Sequence, residues 1–258
     1  MPATQLNISA IPAFSDNYIW LLTRDGKNCA VVDPGDDEPV LEVLQERGLE
    51  LRYILLTHHH PDHTGGVHAL LKHYNATVFG PEDSRIPWVH QVCREGDQVK
   101  LAALDVEFGV LEVPAHTRSH IAFYNHDSLF SGDTLFSLGC GRFFEGTAAD
   151  MQKSLDKLAA LPPATRNYCA HEYTQANCRF ALQVEPDNPA LLTRAREIDR
   201  LRAAGKITLP TRLAEELATN PFLRTREDSV VNAARKLDPG ATAGTSTMAV
   251  IRAWKDRF

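Results

Sequence analysis

The chain has 258 residues, 43% of them hydrophobic and 23% charged, with 15 Gly and 15 Pro, which excludes a disordered, collagenous or low-complexity protein. That length buries a core without disulfide or metal staples, so metal-binding residues would serve chemistry rather than folding. The net charge of −6 hides an asymmetry: residues 1–173 carry 13 Lys+Arg against 23 Asp+Glu, and residues 174–258 carry 14 against 10, so an acidic body that repels nucleic-acid phosphate precedes a mildly basic tail suited to a small anion.

In chain order, β-branched and alternating runs predict strands at Leu6–Ile11, Tyr18–Thr23 and Cys29–Asp33, with Asp25-Gly26 turning the chain between the last two. Val40, Val43, Leu44 and Arg47 follow helical spacing and stop at Gly48. An apolar strand at Tyr53–Thr57 precedes a Gly65-Gly66 pair, expected to bend the backbone sharply before a helix over Val67–Tyr74. Further strands are expected at Thr77–Gly80, Val106–Val113, Ile121–Asn125, Ser128–Ser131 and Tyr168–Ala170. A helix over Met151–Ala160 ends at Pro162-Pro163. Beyond residue 173 the pattern becomes helical, over Asn177–Val184, Ala190–Ala203, Arg212–Ala218, Arg226–Lys236 and Thr247–Lys255. The sequence thus predicts an α/β (α+β) body over residues 1–173, with hairpins and βα units building mixed sheets, and a second, helical unit over 174–258.

Five cysteines at 29, 93, 140, 169 and 178 form no CxxC pair and fit a reducing compartment. No apolar run approaches the roughly 20 residues of a bilayer span. The opening residues 1–8 have neither the cationic nor the apolar region of an export signal. The expectation is a cytoplasmic monomer with no membrane or nucleic-acid partner.

The strongest chemical signal is Thr57-His58-His59-His60-Pro61-Asp62-His63, four of the 11 histidines within six residues directly after an apolar strand. A lone histidine is usually a core or surface residue. Clustered at a strand end, His58 and His60 point the same way, Asp62 and His63 follow on the turn, and His59 alternates away. Further candidates also follow strands: His116 in Pro114-Ala115-His116-Thr117-Arg118-Ser119-His120, Asp133 in Ser131-Gly132-Asp133-Thr134, and His171 in Ala170-His171-Glu172-Tyr173-Thr174. Imidazole and carboxylate donors without thiolate are the set for Zn, Fe or Mn in hydrolysis. An open catalytic zinc takes three protein ligands, so this surplus of donors points to two metals. His68, His73, His90 and His126 read as surface histidines.

The stretch Thr57 to His63 matches the THxHxDH signature in full, and the chain thereby resembles the metallo-β-lactamase superfamily. That resemblance implies an αβ/βα four-layer sandwich of two mixed sheets. It implies a first metal on His58, His60 and His116, a second on Asp62, His63 and His171, Asp133 bridging both, and Asp62 orienting the nucleophile. More narrowly the chain resembles the glyoxalase II (hydroxyacylglutathione hydrolase) branch, through Asp16-Asn17-Tyr18, Val32-Asp33-Pro34-Gly35, residues 139–147 (GCGRFFEGT), His171-Glu172-Tyr173-Thr174 with Asn177 and Phe180, Asn220-Pro221-Phe222-Leu223-Arg224, Arg252 and Lys255. This narrower resemblance implies hydrolysis of the thioester of S-D-lactoylglutathione to glutathione and D-lactate on two divalent ions, zinc first, iron or manganese also accepted. Glutathione contacts would fall on Arg142, Phe144, Tyr173, Arg252 and Lys255. Phe144 stands where the family usually has Tyr, Arg142 where it has Lys, and Ala115, Ser119 and Ala170 where glycine is common. A mononuclear-iron persulfide dioxygenase of glutathione persulfide, which uses the same ligand set, and a lactonase of the same fold are the competing readings; the long helical tail argues against the first. His120 and Asp33 are candidates for orienting ligands.

Overall fold

The computed structural model describes residues 6–258; Met1–Gln5, part of the N-terminal signal reading, lie outside them. The elements are β1 (Asn7–Ala13), β2 (Asn17–Thr23), β3 (Asn28–Val32), α1 (Glu38–Arg47), β4 (Glu50–Leu55), α2 (Pro61–Thr64), α3 (Val67–His73), β5 (Thr77–Gly80), β6 (Gln91–Val92), β7 (Gln98–Leu101), β8 (Val106–Glu112), β9 (Ile121–Tyr124), β10 (Ser128–Gly132), β11 (Leu135–Phe136), β12 (Gly139–Cys140), α4 (Ala148–Ala159), β13 (Arg166–Cys169), α5 (Thr174–Val184), α6 (Pro189–Ala203), β14 (Thr211–Arg212), α7 (Leu213–Thr219), α8 (Asp228–Arg235) and α9 (Thr245–Lys255). One six-stranded sheet runs β1-β2-β3-β4-β5-β6, another β14-β13-β10-β9-β8-β7, and β11 pairs with β12 alone. The α/β class with a helical C-terminal region is therefore as the sequence predicts. Two compact units divide the chain: residues up to Glu112 with Ser119–Asn125 and Phe130–Gly132, and Val113–Arg118 with His126–Leu129 and Asp133–Phe258.

In the first unit, β1, β2 and β3 pair antiparallel and β3, β4, β5 and β6 parallel, so the sheet is mixed. Residues of β2 and β3 are almost wholly buried, and α1 and α3 cover the face that carries Ile19, Leu21 and Val31. Val40 and Leu44 of α1 and Val67 and Leu70 of α3 pack with Ile19, Leu21, Val31, Ile54 and Val78 in one core. Each such side chain contributes roughly 1.5–3 kcal/mol through burial. Parallel pairing sets Val32 opposite Leu55, so the chain leaves both strands at one carboxyl edge, the place where open parallel sheets collect their sites. Asp33 N–H donates to Leu55 O at 2.9 Å, and Asp33 carries a positive φ of 51°. The Gly65-Gly66 pair departs from the expected sharp bend. Gly65 and Gly66 both have ordinary helical dihedrals, and their need is space: a Cβ on Gly66 would lie 2.6 Å from Asp37 N, and one on Gly65 2.6 Å from Gly35 O.

In the second unit, Leu138, Cys178, Ala181, Leu191 and Ile198 form a small core. Helix α4 starts at a reciprocal capping box between Thr147 and Asp150. Helix α6 begins with Pro189 after Asn188, whose Oδ1 accepts from Ala190 and Leu191 N–H. Both are standard answers to the unsatisfied amides of a helix start. Strand β13 delivers the chain to Ala170-His171, and the β11–β12 hairpin follows Asp133-Thr134.

Candidate metal centre and active site

In the first unit the strand ends set a chain of hydrogen bonds that decides which nitrogen each histidine presents. Asp33, 4% exposed, accepts from Thr57 N–H at 2.8 Å, from Thr57 Oγ1–H at 2.7 Å and from His63 Nδ1 at 3.0 Å. A carboxylate only accepts, so His63 carries its proton on Nδ1 and presents the Nε2 lone pair. Thr57 has given its one hydroxyl proton to Asp33, so its oxygen accepts from His58 Nδ1, 3.0 Å away. His58 therefore also presents Nε2. That atom lies 3.1 Å from His60 Nδ1, and His63 Nε2 lies 3.4 Å from Asp62 Oδ2. Asn17 Nδ2 donates to Asp62 Oδ2 at 3.1 Å and to Asp62 O at 3.3 Å, fixing that carboxylate. His120, fully buried, stacks on His58 at 4.6 Å and 16°. His59 turns away toward Asp83, with Nδ1 3.6 Å from its Oδ2, as the alternation predicts.

In the second unit Asp133, 7% exposed, divides its two oxygens: Oδ2 lies 3.4 Å from His116 Nε2 and Oδ1 3.3 Å from His171 Nε2. His116 Nδ1 meets Arg142 O at 3.0 Å. A carbonyl only accepts, so His116 too presents Nε2. His171 stacks on Tyr173 at 4.6 Å and 6°, with Phe136 edge-on at 5.8 Å. A Cβ on Gly141 would lie 2.0 Å from Asp133 O and 3.0 Å from His116 Nδ1, so only glycine admits this approach.

The donors fit a divalent ion. Ligands held tetrahedrally at about 2.0–2.1 Å from zinc lie about 3.3–3.4 Å from one another. The four donor pairs named above span 3.1 to 3.4 Å. The structure thus places His58, His60, Asp62 and His63 together in one unit, and His116, Asp133 and His171 together in the other.

A family model described as the metallo-beta-lactamase superfamily matches residues 14–92 and 89–171, and one described as the hydroxyacylglutathione hydrolase C-terminus matches residues 172–258. The hydroxyacylglutathione hydrolase of Alkalilimnicola ehrlichii is 53% identical over 253 residues, covering 97% of this chain and 98% of its own. The chain belongs to the hydroxyacylglutathione hydrolase family. Its fold is also that of ETHE1 from Myxococcus xanthus, at a TM-score of 0.66 and 24% identity over 97% of this chain and 98% of that one. TTHA1623, solved in a di-iron-bound form, aligns at a TM-score of 0.58 and 26% identity over 84% of this chain and 100% of its own.

The residues that this family resemblance assigns to glutathione are placed unevenly. Phe144 is 61% and Tyr173 37% exposed, and the Arg142 side chain is exposed with Nε 3.6 Å from Asp256 Oδ1. Lys255 is half-buried against Asn177 Oδ1 and the Phe180 ring, and burial, reinforced by the Arg252 charge, pushes its ammonium pKa down to about 8. Arg252 differs: only 5% exposed, it donates to Cys140 O at 3.0 Å and Asp256 Oδ1 at 2.9 Å. Sequence reasoning assigned no role to Asn17 or to the Thr57 hydroxyl, and held Asp33 and His120 only as candidates. The signal for Asp33 was its place at the end of an apolar strand before Pro34-Gly35. His68, His73, His90 and His126 are exposed, as expected.

Proposed function

We propose that this chain is a dinuclear-metal thioesterase that hydrolyses S-D-lactoylglutathione to glutathione and D-lactate. The observation that carries the metal reading is Asp133, whose two carboxylate oxygens each face a different histidine. In this reading His58, His60 and His116 hold one divalent ion, Asp62, His63 and His171 the second, and Asp133 both. Zinc suits the nitrogen and oxygen donors, and iron and manganese are accepted by the same set; the di-iron form of TTHA1623 supports the count of two. Bound ions would lower the pKa of water enough to give hydroxide at neutral pH and would polarise the thioester carbonyl.

The chain's own residues do the rest. Asp33, Thr57 and the Arg142 carbonyl hold three imidazoles with Nε2 bare, so no proton has to leave before an ion binds. Asn17 orients the Asp62 carboxylate, which would accept a hydrogen bond from the attacking water and aim it. A thiol of pKa about 8.5 leaves without a strong general acid. Exposed Arg142 and Tyr173 and half-buried Lys255 are suited to the two carboxylates and the peptide of glutathione; Phe144 offers a face for packing but no hydroxyl. Residues 1–173 would then carry the metal chemistry and 174–258 substrate recognition, a division supported by family models that meet at 171 and 172. No helix of the described residues is long and apolar enough to cross a membrane. All five cysteines are buried thiols, which fits a monomer working in the reducing, glutathione-rich cytoplasm.

The test is loss of thioester absorbance when purified, zinc-loaded protein meets S-D-lactoylglutathione, with D-lactate measured in the product. Rapid loss with equimolar D-lactate is expected. An intact thioester over hours would overturn the reading.

A further inference from the structure

Between Asp133 and Arg142 the chain forms the β11–β12 hairpin, with Leu135 opposite Cys140 and Phe136 opposite Gly139. This short element touches three metal-ligand candidates of its unit. Asp133 precedes it, the Arg142 carbonyl that accepts from His116 Nδ1 follows it, and the Phe136 ring stands edge-on to His171. A two-residue ladder cannot hold such geometry alone. Leu138, at its tip, has a left-handed φ of 57°, a strained conformation for a branched side chain that the surroundings must impose.

Those surroundings come from residues far along the sequence. Asn220 Nδ2, fully buried, donates to Phe136 O at 3.1 Å and Gly139 O at 3.0 Å. Glu216 Oε2 accepts from Leu138 N–H at 2.8 Å and lies 3.0 Å from Asn220 Nδ2. Asn177 Nδ2 donates to Ser137 O at 2.8 Å, and Arg252 Nη1 to Cys140 O at 3.0 Å. Asn167 Nδ2 completes the set on Leu135 O at 2.9 Å. The main-chain carbonyls of five hairpin residues are thus each held by a side chain, an unusual density, since most protein hydrogen bonds join backbone to backbone.

We propose that Asn177, Glu216, Asn220 and Arg252 are positioning residues: by gripping the main chain of residues 136–140 they fix Asp133, the carbonyl that orients His116, and the ring that packs on His171. The helical region then shapes the metal centre itself, besides meeting substrate. Arg252, which the resemblance assigns to glutathione, acts through Cys140 O. This inference rests on the metal reading above, and its test is separable from it.

The test uses full-length protein loaded with zinc, as Asn220→Ala, Arg252→Met and Arg252→Lys. Three quantities are read: kcat and KM, zinc retained against a weak chelator, and amide hydrogen exchange of the peptide 133–142. Asn220→Ala and Arg252→Met are expected to lower kcat roughly 10- to 100-fold, the usual effect of disturbing the partners of metal ligands, with KM changed less. Retained zinc falls and exchange in 133–142 rises about tenfold, while β2 and β3 exchange as in the parent. Arg252→Lys, which keeps a donor for Cys140 O, recovers part of each loss. Wild-type exchange and zinc retention in Arg252→Met with KM alone raised would make Arg252 a substrate contact and overturn the proposal. If Asn220→Ala does not fold, the Arg252→Met and Arg252→Lys pair decides it alone. If the parent protein leaves the thioester intact, the functional reading fails, and zinc retention with hairpin exchange still judges this one.

Discussion

Replacing Asp33 by Asn is the sharpest probe of how the first unit prepares its ligands. Asn tolerates the left-handed φ of 51°, so the backbone is spared and only one acceptor oxygen becomes a donor. Asn Oδ1 can still accept from Thr57 N–H. The new NH₂, where Oδ2 stood, would face the Nδ1–H of His63 that now sits 3.0 Å away. Donor against donor is relieved when His63 shifts its proton to Nε2, the atom facing Asp62 Oδ2. That nitrogen then cannot bind an ion without losing the proton again. Disturbing such a partner costs about 10- to 100-fold in metal affinity, or about 1.4–2.7 kcal/mol. Without metal, a strained buried hydrogen bond costs about 1–3 kcal/mol, and at about 2–4 °C per kcal/mol the Tm falls by several degrees. Zinc competition against a chromophoric chelator reads the affinity, and nitrogen NMR of labelled histidine reads the tautomer. Wild-type affinity with His63 still bare at Nε2 would refute the reasoning.

Three further outcomes are expected. Asp133→Ala, by removing the carboxylate that faces both His116 and His171, should abolish dinuclear metal binding and lower kcat by about a thousandfold or more, the several kcal/mol of lost metal assistance; metal analysis after gel filtration that still finds two ions per chain would reject the bridge. Lys255, with its pKa down at about 8, is charged at pH 7 and mostly neutral at pH 9, so KM should rise up to about tenfold between them, while Lys255→Arg stays flat; parallel profiles would remove Lys255 from substrate binding. The same shift has a sign in stability. Because the folded pKa lies below that of the unfolded chain, the cost of burying the charge is fully present below pH 8 and is relieved as pH rises toward 10.5, so Lys255→Met should stabilise the fold at pH 7 more than at pH 10 in thermal melts.

What could be read from the sequence was what lies close together in it. The run from Thr57 to His63 follows a strand directly, so strand alternation separates His58 and His60 from His59, and the structure agrees. Longer strands and helices declared themselves by period, usually within one to three residues of their ends. Strands β6, β11, β12 and β14 are two residues each, too short for any period to register. Strand β7 did alternate, Gln98 and Lys100 exposed against buried Val99 and Leu101, but four residues are a weak signal. The hairpin grip was illegible for a different reason. Asn220 lies 84 residues from Phe136 and Arg252 112 from Cys140, and an Asn or Arg in a helical stretch shows nothing of where its donors end up. Arg252 is the instructive case: the resemblance assigns it to the anionic substrate, and nothing in the sequence signals the bond it makes to Cys140 O.

The most direct measurement of the central claim is a metal titration of stripped protein. Removed metal should leave S-D-lactoylglutathione untouched, and zinc added back should restore hydrolysis along a curve that levels off at two equivalents per chain. Full turnover by the stripped protein, or a curve complete at one equivalent, would contradict the dinuclear account.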